Sequence, residues 1–158
     1  MAAMKKSPLL LLLSLLLLLG GAAGCRRDMY PETEVHALTE KEQQKARLDG
    51  AFQQVAAGMP ELTPEWLLYY LMRNVRVDRS RVVPYVRWTL PEGLRIEGPL
   101  NDLRVYDGAA ELCRIERLDG RLVFRFDDGT SYSVLSVLLT EPYVSQIFQY
   151  LSDGTLDL

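Results

Sequence analysis

The stretch ELCRIERLDGRLVFRFDDGT, residues 111–130, decides the fold. Within it, Leu122, Phe124 and Phe126 occupy one phase of an alternation, and Arg121, Val123 and Arg125 the other. Successive side chains of a strand point to opposite faces, so this is the pattern of a strand with one face on a core and one in water. Asp119-Gly120 precedes the run and Asp128-Gly129 follows it. Asp-Gly is the dipeptide best suited to a tight hairpin, whose central residues need positive φ.

Working outward, the same period of two recurs. RVVPYVRWTL (81–90), LRIEG (94–98), LRVYD (103–107) and SYSVLSVLL (131–139) all read as extended, and Asp107-Gly108 supplies a third turn. Pro84 lacks an N–H, so the first of these is an edge strand or begins at Tyr85. In ELCRIERL the alternation is imperfect, because Leu112 and Ile115 do not share a face cleanly with Cys113. The pattern predicts an antiparallel meander of four to six strands.

Helical signals flank it. Thr39 followed by Glu42 forms a capping box, and Leu48, Phe52 and Val55 lie at i, i+4 and i+7 before a stop at Gly58. Gly50 is a weak helix former at which this helix could break. In TPEWLLYYLMRN, Thr63 is a good N-cap, Pro64 fits the first helical position and Glu65 suits the positive end of the dipole. Residues 66–72 are then apolar or aromatic on nearly every face, as in a buried helix or one awaiting a partner. Near the C-terminus, Val144, Ile147, Phe148 and Leu151 form a stripe suited to covering the sheet, and Asp153-Gly154 ends it. Two helices, a meander and a last helix make an α+β domain over residues 38–158.

The chain opens MAAMKKSP and continues into an eleven-residue run, Leu9 to Leu19, broken only by Ser14. That run is too short to span a bilayer, which takes roughly 20 apolar residues, and has the length of a secretory-signal core. Ala22-Ala23-Gly24-Cys25 then resembles the lipobox of bacterial lipoproteins, with Ala22 where leucine is the commoner residue. The resemblance covers about 25 of the 158 residues. It implies that residues 1–24 are removed, that the thiol of Cys25 receives a diacylglyceryl group, and that the mature protein is held to a membrane. Two acyl chains hold stably where one binds only marginally. Residues 25–37, with Pro31 and no periodicity, read as a tether of at most ~40 Å. Arg26 follows the cysteine where an aspartate would direct inner-membrane retention, which resembles sorting to the periplasmic face of the outer membrane.

Removing residues 1–24 takes away two lysines and no acid. The 134 remaining residues carry 16 basic and 21 acidic side chains, a formal charge of −5. That length suits one domain, and that charge argues against a general nucleic-acid binder. With Cys25 acylated, Cys113 is the one thiol left, either a small buried hydrophobe or half of an intermolecular disulfide.

Little catalytic chemistry is visible. The single histidine, His36, lies in the tether with nothing to orient it. There is no G-x-S-x-G, no phosphate loop and no histidine pair for zinc. Asp127-Asp128 places two adjacent carboxylates in a turn, whereas a calcium loop needs six to eight oxygens. No catalytic residue, cofactor or metal is expected. Two features nominate a surface instead. Arg73, Arg76, Arg79, Arg81 and Arg87 face one acid, Asp78, within MRNVRVDRSRVVPYVR. They are either solvated at a helix end or a patch for anionic head groups or an acidic partner, which Arg26 and Arg27 would reinforce. Trp66, Tyr69, Tyr70, Tyr85 and Trp88 are either core or, with arginine, residue types enriched in interface hot spots. The expectation is a non-enzymatic envelope lipoprotein that docks another envelope protein, with Arg73, Arg76, Arg79, Arg81, Trp66 and Tyr70 as the candidate surface. The alternative is a binding module holding a small apolar or lipidic ligand between sheet and helices.

Overall fold

The computed structural model describes residues 38–158; Cys25, the segment before it and the tether with Arg26, Arg27 and His36 lie outside the described residues. Thr39–Leu158 is one compact unit. Its elements in chain order are helix α1 (Glu40–Ala57), helix α2 (Pro64–Asn74), strands β1 (Val75–Asp78), β2 (Tyr85–Thr89), β3 (Leu94–Pro99), β4 (Arg104–Asp107), β5 (Ala110–Leu118), β6 (Arg121–Arg125) and β7 (Ser131–Tyr132), and helix α3 (Tyr143–Asp153). Short 3₁₀ turns lie at Pro91–Gly93 and Val137–Leu139. The fold is α+β, and the sheet is a seven-stranded antiparallel meander in sequential order, one strand beyond the expected range.

The added strand is β1. Val75 follows α2 with no loop between them, so a segment read as the arginine-rich tail of a helix becomes an edge strand after Asn74. Only two valines mark it, too few to show a period. At the other end the opposite occurs. SYSVLSVLL pairs only at Ser131–Tyr132, and then leaves the sheet because α1 offers other partners. The Asp49 carboxylate accepts from the Leu135 N–H at 2.8 Å, and the Gln53 side chain donates to the Leu135 carbonyl. Val134, Leu138 and Leu139 still reach the core.

Local signals act as their chemistry requires. The Thr39 hydroxyl accepts from Glu42 N–H at 3.2 Å while the Glu42 carboxylate accepts from Thr39 N–H at 2.8 Å. Helix α1 runs unbroken through Gly50 to a cap at Gly58. Asp119 and Gly120 both take positive φ, 51° and 73°, which closes β5 onto β6 with a two-residue turn. Between β4 and β5 the register shifts at Val105/Tyr106. This bulge puts Leu112 and Cys113 in succession into the core, which explains the imperfect alternation of ELCRIERL.

The core lies between the sheet and α1. The Phe52 ring sits 6.0 Å from Trp88 on β2 and 5.8 Å from Phe124 on β6. Strands four apart in a flat sheet would be separated by about 19 Å. One ring can meet both only because the sheet curls around α1, giving a concave buried face and a convex outer one. Helix α3 buries Val144, Ile147 and Leu151, but its main neighbours are α2 and the 3₁₀ turn at Val137–Leu139; α1 is the helix that covers the sheet.

Candidate docking surface

Helix α2 divides its apolar residues between two sides. Leu67 and Leu71 are buried, whereas Trp66 (40 % exposed), Tyr69 (54 %) and Met72 (58 %) stand on the surface. Trp66 and Tyr69 meet edge to face with centroids 6.0 Å apart, and the Arg73 guanidinium lies 5.6 Å from the Tyr69 ring. Trp66, Tyr69 and Arg73 line a groove of about 510 Å³ together with Val55, Met59, Pro60, Leu90 and Pro91. Tyr70 lies deeper. Its hydroxyl accepts from the Trp88 indole N–H at 2.9 Å, and burial pushes its phenol pKa up to about 12. The phenol is therefore a fixed neutral group, and Trp88 itself is core.

The arginines singled out in the sequence do not all converge on one site. Arg73 belongs to the α2 groove. Arg79 stacks 5.4 Å from the Tyr150 ring and donates to the Tyr150 carbonyl, so it serves the negative end of α3. Arg76, in β1, donates to the Met72 and Val75 carbonyls at 3.1 and 3.3 Å. Arg81, in the β1–β2 turn, pairs with Asp78 at 3.3 Å and lies 4.7 Å from the Tyr85 ring. Arg76, Arg81, Arg87 and Tyr85 line a separate depression of about 400 Å³. The five arginines thus go to three places, because strand β1 and its turn separate side chains that a helix end would have gathered.

Sequence reasoning missed the outer face of the sheet. Arg87 and Arg95 both pair with Glu97, at 3.3 and 2.9 Å, and Tyr85 donates its hydroxyl to the same carboxylate at 2.9 Å. These bonds hold the Glu97 carboxyl below its ordinary range, through Arg95 first and Tyr85 next. Each arginine sits at an outward phase of its strand. That signal is legible in sequence, but how the strands align is not.

Cys113 is the buried hydrophobe, 3 % exposed, and burial pushes its thiol pKa up to about 12. No cluster of three or more histidine, cysteine, aspartate or glutamate side chains that could hold a metal ion occurs among the described residues. None of their helices is long and apolar enough to cross a membrane. No family model matches the chain, and neither a curated protein nor a solved structure is significantly similar to it.

Proposed function

We propose that this chain is a bacterial envelope lipoprotein, fixed to a membrane through lipid on Cys25, whose domain acts as a non-enzymatic docking or assembly factor for another envelope protein. The observation that carries the docking half is the α2 ridge. Trp66, Tyr69 and Met72 are large apolar side chains held in water on one helix face beside Arg73. Trp, Tyr and Arg dominate the energetics of protein interfaces, and large exposed apolar groups next to a groove mark binding sites. The anchor rests on the lipobox resemblance, and the periplasmic face of the outer membrane rests on Arg26. A lipidic ligand between sheet and helices is less well supported, because Phe52, Trp88 and Phe124 fill that space.

Two measurements test the reading. Intact-mass spectrometry of the membrane-extracted protein is expected to show loss of residues 1–24 with added acyl mass; an unmodified Cys25 contradicts the anchor. A chemical-crosslinking pull-down from native membranes is expected to recover one recurrent protein, lost when Trp66 and Tyr69 are both replaced by alanine. Recovery unchanged by that double substitution contradicts docking at α2.

A further inference from the structure

The register aligns one outward position from each of six strands: Arg76, Arg87, Glu97, Arg104, Arg114 and Arg125 are successive cross-strand neighbours. At one strand spacing per step, the row spans about 24 Å along the curve. Outward positions of β1–β6 carry seven arginines (Arg95 and Arg121 with those of the row) against four carboxylates, Asp78, Glu97, Glu111 and Glu116. The face bears three net positive charges on a chain whose formal charge is −3 before any processing.

Like charges directly opposite one another on a sheet are destabilising. This sheet opposes Arg76 to Arg87, Arg104 to Arg114 and Arg114 to Arg125. Part of that repulsion is answered within the face. Arg104 pairs with Asp102 at 3.0 Å and Glu111 at 2.9 Å, and Arg125 with Glu116 at 2.9 Å. Arg114, between two arginines, is exposed and makes no ion pair among the described residues. A depression of about 520 Å³ lies beside it, lined also by Arg125, Glu111 and Asp127. At Arg114 the local rule is broken without internal compensation, which points to a group supplied from outside.

We infer that the convex outer face of the sheet, centred on Arg114, docks an acidic surface of a protein partner, whose carboxylates supply the pairing that Arg114 lacks. This rests on the docking reading and adds a second contact to the α2 groove. Charge spacing selects the occupant. Carboxylates lie among the arginines at Glu97 within the row and at Glu111 and Glu116 beside it, so a densely charged phosphate polymer or an anionic bilayer laid along the face meets repulsion at each of them. A protein surface can place carboxylates singly, opposite arginine forks that bind them in bidentate fashion.

The test uses the full-length lipoprotein in neutral detergent and a fluorescent peptide alternating glutamate with serine, followed by anisotropy. Binding is expected to weaken with salt and to fall roughly fivefold to tenfold in Arg114→Glu, as for loss of one charge-assisted contact and gain of a repulsive one. The same substitution is expected to raise the melting temperature, since it turns two repulsive cross-strand pairs into attractive ones. Arg114→Gln should fall between, and the alanine variants of Trp66 and Tyr69 should bind the peptide normally. Equal affinity in Arg114→Glu overturns the inference. So does tighter, Arg114-dependent binding of polyphosphate or phosphatidylglycerol vesicles, which would assign the face to phosphate. Native partner recovery with no peptide binding overturns this inference alone. Peptide binding at Arg114 with no partner recovered counts against the docking reading and leaves the basic face standing.

Discussion

The two faces of one sheet obey opposite rules. On the concave face, Val75, Trp88, Ile96, Val105 and Cys113 follow one another across five strands, all buried. One residue along each strand, the convex face carries a row of arginines broken by a single glutamate. Both rows come from the same hairpins and the same register. What differs is the penalty for change: a buried side chain is constrained by volume and by unmet hydrogen bonds, an exposed one mainly by what binds it. The comparison separates residues that hold the fold from residues free to serve a partner.

The largest expected effect breaks the concave side. Phe52→Ala removes the ring joining β2 to β6 and should cost about 3–5 kcal/mol, the range for large-to-small aromatic substitutions in cores. Chemical denaturation checks this, and a loss below about 1 kcal/mol would mean that the sheet does not depend on α1 for its curl. A smaller loss is expected for Cys113→Ser. Its hydroxyl, placed in an apolar site, would lack a partner at a cost of about 1–3 kcal/mol, whereas Cys113→Ala should cost less. If serine and alanine behave alike in thermal melts, the site admits water.

The next prediction has the opposite sign. A Cβ built at Gly50 meets nothing within 4 Å, and the helix is unbroken there. Gly50→Ala should therefore stabilise the domain by about 0.5–1 kcal/mol. A loss in the same melt would show that α1 needs the glycine.

The smallest effect concerns acid. Hydrogen bonds from Arg47 hold Asp107 below the ordinary carboxylate range, and those from Lys41 do the same for Asp127. A carboxyl depressed by folding gives up its proton more readily in the folded chain. Its contribution is complete above the unfolded value near 4 and is lost as pH falls through the folded one. The melting temperature should be level from neutral pH to about 5 and decline below about 4, less so in Asp107→Asn and Asp127→Asn. A melting temperature that rises on acidification would reverse the sign.

Where a physical device acts within a few residues, it was legible in the sequence. The capping box at Thr39 and Glu42, Thr63 before Pro64 and the tight turn at Asp119-Gly120 all act as expected, and with them the α+β class. The stripe of α3 forms a helix but packs on α2 and the turn at Val137–Leu139 where the sheet was expected. What escaped depends on distant partners. Strand β1 exists because Val75 and Val77 pair with Trp88 and Val86, and the departure of residues 133–139 depends on Asp49 and Gln53 of α1. The site divided in the same way. Trp66 and Arg73 were nominated from residue type, but their gathering at one groove and the separation of Arg79 from Arg76 and Arg81 depended on β1 and its neighbours. The arginine row needed the register of six strands and one bulge.

The most direct test of docking places a photo-reactive residue singly at Tyr69, at Arg114 and, as a control, at Val82, a fully exposed residue of the β1–β2 turn. Each full-length variant is irradiated in native membranes and its adducts are resolved by mass. The same discrete protein adduct is expected from positions 69 and 114 and none from 82. Equal labelling at all three positions, or lipid adducts alone at 69 and 114, would contradict it.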